Sequence, residues 1–480
     1  MKQPQKPNLI YVFADQLRYS SVGYNGDSFA YTPNLDKLAE QSLSLDNAVS
    51  GHPVCAPYRA SLLTGKYTTS TGMVINEIRL NAKAHKTFAR ILNDEGYNTE
   101  YIGKWHLYAD ELGNHYDPKN SYIPEGENRL GFDRCFIGYN FHHEYYAPKA
   151  YYHENSPEKI GVEGYEPDCQ TDIAIEHLKA LAKEDKPFAF FLSLGTPHDP
   201  WSKENVPQEY YDMFKNTQFP TPPNYKKHND LRGDFPWTHF LPNERKKLNG
   251  WKQVYYSMVA NLDYNIGRLQ AAIKEAGLDK NTIFVFTSDH GEMFGAQGRR
   301  GKNIFYDEAI KVPFLVHYDK IEKGKYTGVV NTVDIMPTLL SIMQIAVPDF
   351  VEGADKSANI IGRKKEDETD GALLMGTGAT AIWGNGYEWR GWRTERFTYA
   401  VYRLGKKELF FDNINDPFQT KNLIDDPSFA AVIKTIKNKM YAEMQRVGDD
   451  FEKNSFYKKY WVEERRIKER LPRRKDLKKQ

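Results

Sequence analysis

A chain of 480 residues with a formal net charge of +1, 40% hydrophobic and 27% charged, has room for one large domain and a smaller one. That balance excludes a disordered chain or a collagen-like array, and it argues against nucleic acid as the main partner. Three cysteines, Cys55, Cys135 and Cys169, with no Cys-x-x-Cys pair, are too few for a disulfide framework. No apolar run is long enough to cross a membrane, and the N-terminus lacks the apolar stretch of an export signal. As written the chain is expected in the cytoplasm, or in the periplasm if a signal was trimmed from a natural precursor.

In chain order, Asn8–Ala14 (NLIYVFA) reads as a first strand buried on both faces, because apolar residues run without alternation. Thr32-Pro33 then opens a helix, with proline at its first position. Around Cys55-Ala56-Pro57 a second helix starts, which places Cys55 at the positive end of its dipole. His85–Glu95 is helical and stops at Gly96, and Asn98–Ile102 is a short strand. Asp168–Lys183 and the long stretch Asn243–Ala276, closed by Gly277, are helices. Phe188–Leu194, Thr282–Thr287 and Val312–His317 complete a set of expected parallel strands. This alternation predicts a large doubly wound, mostly parallel α/β sheet over residues 1–365.

The pattern then changes. Gly376, Gly378, Gly384 and Gly386 surround short strand-like runs, Arg396–Tyr402 and Glu408–Phe411, and a last helix is expected from about Pro427. Residues 366–480 are therefore expected to form a smaller α+β subdomain with an antiparallel sheet. The stretch GTGATA at 376–381 falls short of a dinucleotide-binding fingerprint. The basic tail from Arg465 to Lys479 reads as a solvated helix end and a frayed terminus.

Chemistry gathers where the strands end. The first runs into Asp15-Gln16, the one near 100 into Lys104-Trp105-His106, the one near 190 into His198, and the one near 285 into Asp289-His290. Open α/β sheets bind ligands outside the carboxyl ends of their strands, so these residues are expected to converge. Asp15, Gln16, Asp289 and His290 offer oxygen ligands and an imidazole, which suit Ca²⁺ or Mg²⁺ and leave Mn²⁺ or Zn²⁺ open.

The run Cys55-Ala56-Pro57-Tyr58-Arg59, followed by ASLLTG, resembles the signature of type I sulfatases, members of the alkaline-phosphatase-like superfamily. NLIYVFADQLR, YIGKWH, GTPHDPW, FTSDHGE, GKNIFYDEAIKVPFLV and the C-terminal WRTERFTYAVY and ELFFDNINDPFQTKNL resemble further family elements in the same order. The resemblance implies oxidation of Cys55 to formylglycine by a maturation enzyme. It also implies Ca²⁺ (or Mg²⁺ or Mn²⁺) held by Asp15, Gln16, Cys55, Asp289 and His290, and catalysis by Cys55, Arg59, Lys104, His106, His198 and Lys302. Three positions depart from the common pattern: Gln16 stands for a second aspartate, His290 for asparagine and Tyr58 for serine. Phosphonate monoester hydrolases and choline sulfatases share the first two departures and remain alternatives, as does a non-catalytic glycan-binding protein. The expected substrate is a sulfated polysaccharide such as ulvan, another algal glycan or a glycosaminoglycan. Trp105 is expected to stack on a sugar ring, His142 and His143 to wall the pocket, and Arg390 and Arg393 to pair with a uronate.

Overall fold

In Asn8–Ala14 both side-chain parities are apolar, and the fold uses both. Leu9, Tyr11 and Phe13 enter one hydrophobic core, while Ile10, Val12 and Ala14 enter another on the opposite face. Such a strand must lie inside a sheet covered on both sides. A computed structural model describes residues 6–227 and 238–477 and shows that sheet. Strands β1 (Asn8–Ala14), β2 (Leu43–Val49), β3 (Asn98–Lys104) and β4 (Cys135–Tyr139) are followed by a small ribbon of β5 (Tyr151–Tyr152) and β6 (Ile160–Gly161). Strands β7 (Phe188–Leu194), β8 (Thr282–Ser288), β9 (Phe314–His317) and β10 (Gly324–Asn331) complete the set. The order is β10-β2-β9-β8-β1-β7-β3-β4.

Every pairing in this sheet is parallel except those of β9, which runs antiparallel to both β8 and β2. The expectation that Val312–His317 is parallel is thus corrected. A doubly buried strand shows the same apolar run in either direction, so its sequence carries no polarity. Strands β2 and β10 had no strong signal, because Ser44, Asp46, Asn47 and Thr327 break their apolar runs, and β4 (CFIGY) is only five residues long with a glycine inside it.

Helices Glu166–Leu181 and Leu248–Glu275 cover one face, and Cys55–Thr64, Phe88–Asp94 and Thr332–Ile342 cover the other. Gly103 in β3 shows why no side chain fits there: at φ +106°, a Cβ would lie 2.1 Å from the Ser193 carbonyl oxygen.

Beyond the large sheet, β11 (Gly371–Gly376), β12 (Trp389–Thr394), β13 (Phe397–Tyr402) and β14 (Glu408–Asp412) form an antiparallel sheet in that order. Alternation divides its faces. Ala372, Leu374, Trp389, Ala400 and Tyr402 pack on Phe305, Ala309 and Ile310 of the larger unit. Leu373, Met375, Tyr399 and Phe410 pack beneath Ile433, Ile436, Met440 and Met444 of the helix Ala430–Arg446. That helix follows a 3-10 turn at Pro427–Phe429 and is not the last, since Asn454–Trp461 and Arg474–Leu477 come after it.

The basic tail is not frayed over its described length. Val462–Glu463 (β15) and Arg466–Ile467 (β16) make a hairpin. Arg79 pairs with it, donating its N–H to the Arg465 carbonyl at 2.7 Å and accepting from the Ile467 N–H at 3.0 Å. Buried Ile467 and the partly buried Leu471 anchor the segment among its charges. Residues 478–480 of the expected tail lie outside the described residues.

Candidate active site

The sheet order places β8, β1, β7 and β3 side by side, so their polar carboxyl ends share one edge. Asp289 follows β8, Asp15 follows β1, His198 lies just beyond β7 and Lys104 closes β3. Cys55 is the first residue of the helix Cys55–Thr64, whose N-terminus faces this edge. The backbone is strained there: Gln16 (φ 70°), His106 (φ 57°) and Glu77 (φ 57°) all adopt left-handed conformations that side chains disfavour.

The Cys55 sulfur lies 3.2 Å from His290 Nε2, 3.3 Å from Lys302 Nζ and 3.7 Å from Asp15 Oδ1. Lys104 Nζ donates to Asp15 Oδ2 at 2.5 Å and contacts His143 Nε2 at 3.0 Å. Lys302 Nζ donates to Gln16 Oε1 and lies against His198 Nε2, each at 2.7 Å. Arg59, beneath the cluster, reaches Asp15 at 3.3 Å and Asp289 at 3.7 Å and donates to the Lys104 carbonyl and Ser193 Oγ at 2.6 Å.

The charges shape one another. Burial opposes ionisation of Cys55, but Lys104, Lys302 and His290 outweigh it and hold the thiol well below its usual range. Burial and the Cys55 sulfur push Asp15 up, yet Lys104, His198 and Lys302 keep it below the ordinary carboxylate range. Burial, then the Asp15 charge, lifts Asp289 to about 6. Burial lowers His106 to about 3, leaving a neutral imidazole against Cys55, with Glu77 Oε1 4.0 Å from its Nε2.

Donor atoms of Asp15, Cys55, Asp289 and His290 all lie within 4.8 Å of one another. Asp289 Oδ2 has no hydrogen-bond partner. His290 Nδ1 contacts the Gly291 carbonyl at 3.0 Å, which leaves Nε2 facing the cluster. Two carboxylates and an imidazole fit a hard divalent cation. Gln16 lies against the same cluster. Its amide is held between Lys302 and Glu292, and its backbone N–H donates to Asp289 Oδ1 at 3.0 Å.

Above the cluster opens a cavity of about 480 Å³ reached by His143, His198 and Lys302. Four residues expected to meet substrate are elsewhere. Trp105 is 1% exposed and packed edge-on against Tyr101, Phe132 and Phe136. His142 is buried, stacked on Tyr139 at 3.7 Å, with Nε2 donating to the Tyr151 carbonyl. Arg390 is fully buried in a two-pronged pair with Asp449. Arg393 pairs with Asp307 at 2.9 Å and lines a different cavity of about 620 Å³. The pocket walls are instead Glu77, His115, Phe141, Asp199, Trp201 and Arg300, which sequence reasoning missed, with Thr380–Ile382 from the segment after β11. Only the aromatic richness around residues 139–153 hinted at Phe141. Glu77 and His115 lie in loops that no periodicity marks.

A buried nucleophile at a helix N-terminus, flanked by two lysines, two histidines and a carboxylate-rich cation cradle, defines a hydrolase of anionic esters on an alkaline-phosphatase-like fold. Residues 7–345 match the sulfatase family, and residues 295–446 match the C-terminal part of N-sulphoglucosamine sulphohydrolase. The chain belongs to the sulfatase family and is a sulfuric ester hydrolase. It is 37% identical to an ulvan-active sulfatase of Formosa agariphila, over 95% of this chain and 85% of that protein. It is 27% identical to an endo-4-O-sulfatase of Bacteroides thetaiotaomicron, over 98% and 96% of the two chains. The solved structure of a putative sulfatase, yidJ, from Bacteroides fragilis superposes with a TM-score of 0.80 at 27% identity, covering 94% of this chain and 98% of the other. Among the described residues, no helix is long and apolar enough to cross a membrane.

Proposed function

We propose that this sulfatase removes sulfate from a sulfated polysaccharide or its oligosaccharides, using formylglycine made from Cys55 by a maturation enzyme. The observation that carries the reading is the position of Cys55. Its sulfur sits within 3.7 Å of Asp15, His290 and Lys302, buried behind Lys302, which lines the cavity. The glycan part draws on the printed activities of the ulvan-active and endo-4-O relatives.

A divalent cation, Ca²⁺ or else Mg²⁺ or Mn²⁺, held by Asp15, Gln16, Asp289 and His290 with the side chain at position 55, would supply Lewis acidity and offset sulfate charge. The hydrated aldehyde at position 55 would supply the attacking oxygen, which a plain thiol does not. Lys104 and Lys302 flank that position and stabilise charge on the sulfate oxygens. Lys302 Nζ and His198 Nε2 lie 2.7 Å apart on the cavity side, and one of the two passes a proton to the leaving alcohol. His106 is neutral and lies against Cys55, so it accepts the proton from position 55 as sulfate departs. Arg59 fixes Asp15 and Asp289 from below. In the cavity Phe141 and Trp201 offer aromatic faces, with Glu77, His115 and Asp199 as hydrogen-bonding partners for ring hydroxyls.

Peptide mass spectrometry of the tryptic fragment Leu38–Arg59 from the native host tests the nucleophile: a formylglycine mass at position 55 is expected, and an unmodified thiol overturns it. Sulfate release from ulvan, carrageenan and glycosaminoglycan oligosaccharides tests the substrate. Release from small aryl sulfates alone defeats the glycan assignment, and faster cleavage of aryl phosphonates defeats the sulfate one.

A further inference from the structure

A second group of metal-type ligands lies at the other end of the sheet. The register of β3 and β4 sets Glu100 opposite Cys135, and alternation puts both on the face where Ile102 and Ile137 meet the helix Glu166–Leu181. His177 comes from that helix, one residue before Leu178, which packs on the same face. Three separate elements thus deliver a carboxylate, a thiol and an imidazole, with donor atoms all within 4.8 Å of one another. Lys104 is four residues further along β3, roughly 13 Å away at strand rise, so the group is separate from the catalytic cluster.

From this geometry we infer that Glu100, Cys135 and His177 form a site for a borderline divalent transition metal, zinc by preference. One sulfur, one nitrogen and one oxygen make a donor set that calcium and magnesium do not favour. Tetrahedral zinc brings such donors to roughly 3.3–3.8 Å of one another, so only small side-chain rotations are needed. The orienting contacts are present. Arg134 Nε forms an ion pair with Glu100 Oε1 at 3.2 Å and its other arm is held by Glu184, which restrains the carboxylate and leaves Oε2 directed at His177 Nδ1, 2.9 Å away. Ligating carboxylates are themselves hydrogen-bonded in this way. The fourth position faces a cavity of about 350 Å³ lined by Cys135, His177, Glu125 and Glu154, through which an ion and its water could enter. His177 is 31% exposed along this route.

Cobalt reports the site through the charge-transfer absorption of a thiolate ligand. The full-length protein is stripped with a chelator, re-equilibrated with excess Ca²⁺ and titrated with Co²⁺. One equivalent should bind with a near-ultraviolet thiolate band that Zn²⁺ abolishes by displacement. The band should vanish in Cys135→Ser, need at least about tenfold more Co²⁺ in His177→Gln, and persist in Cys169→Ser and Cys55→Ser. Zn²⁺ should raise the melting midpoint of the wild type and not that of His177→Gln, whose partly exposed position tolerates the change if Cys135→Ser folds poorly. Sulfate release should be the same in His177→Gln as in the wild type. Absence of a thiolate band, its survival in a folded Cys135→Ser, unaltered affinity in His177→Gln, or its loss in Cys55→Ser would each overturn the assignment.

Discussion

Arg59 and Arg390 are both buried and both lie against aspartate, yet their surroundings differ in one respect. Arg390 has a full complement of partners: both oxygens of Asp449, the carbonyls of Gly376 and Trp389, and the Tyr457 hydroxyl. Arg59 donates from one arm to the Lys104 carbonyl and Ser193 Oγ, but meets the carboxylates of Asp15 and Asp289 only at 3.3 and 3.7 Å, and neither its Nε nor Asp289 Oδ2 has a hydrogen-bond partner. A buried charge that is fully paired serves the fold, whereas a cluster left short of partners awaits a ligand. The first pins the C-terminal sheet to the segment at 449–457. The second holds charge ready for a cation and a sulfate group.

The sharpest way to separate the two is Cys55→Ala. Turnover should fall on the order of 10⁴–10⁶-fold, with an unchanged melting midpoint, in a sulfate-release assay paired with calorimetry. His106→Gln should cost about 10²–10⁴-fold in kcat, again with the fold intact. At the other site the pattern should invert. Asp449→Ala leaves the Arg390 charge buried and alone, and should destabilise by about 3–5 kcal/mol in denaturant unfolding while the folded fraction keeps its kcat. Replacing both partners by apolar residues should recover most of that loss. Glu166 gives the smallest and most graded test. Burial lifts its carboxyl to about 8, against the opposing Tyr139 hydrogen bond, so the folded state holds a proton that the unfolded state releases near 4.5. Its contribution is complete below pH 4.5 and is lost as pH rises through 8. Glu166→Gln should remove a downward slope of up to about 1.4 kcal/mol per pH unit across that window.

Much of the catalytic cluster was legible because strands buried on both faces announce their own ends. Asp15 and Asp289 come directly after strands, Lys104 closes one and His198 follows four residues beyond another, and sheet topology does the rest. The misplaced residues share a different cause. Trp105, His142, Arg390 and Arg393 have side chains that suit a binding wall and a core equally well, and only packing decides between them. Trp105 belongs to the aromatic cluster of Tyr101, Phe132 and Phe136, none of which is its sequence neighbour. The basic tail misled for a similar reason: two apolar residues, Ile467 and Leu471, outweigh the charges around them.

The burial of Cys55 sets a timetable for the ribosome. In the finished protein its sulfur is 1% exposed, sealed partly by His290 and Lys302, which lie 235 and 247 residues further along. At about 5–20 residues per second, His290 is made roughly 10–50 seconds after Cys55. On the proposed oxidation of Cys55, the maturation enzyme meets the thiol most freely in that interval, before the segment carrying His290 and Lys302 is made. A delay in synthesis downstream of residue 55 would lengthen the interval, and rapid refolding of a full-length, unmodified chain would forfeit it.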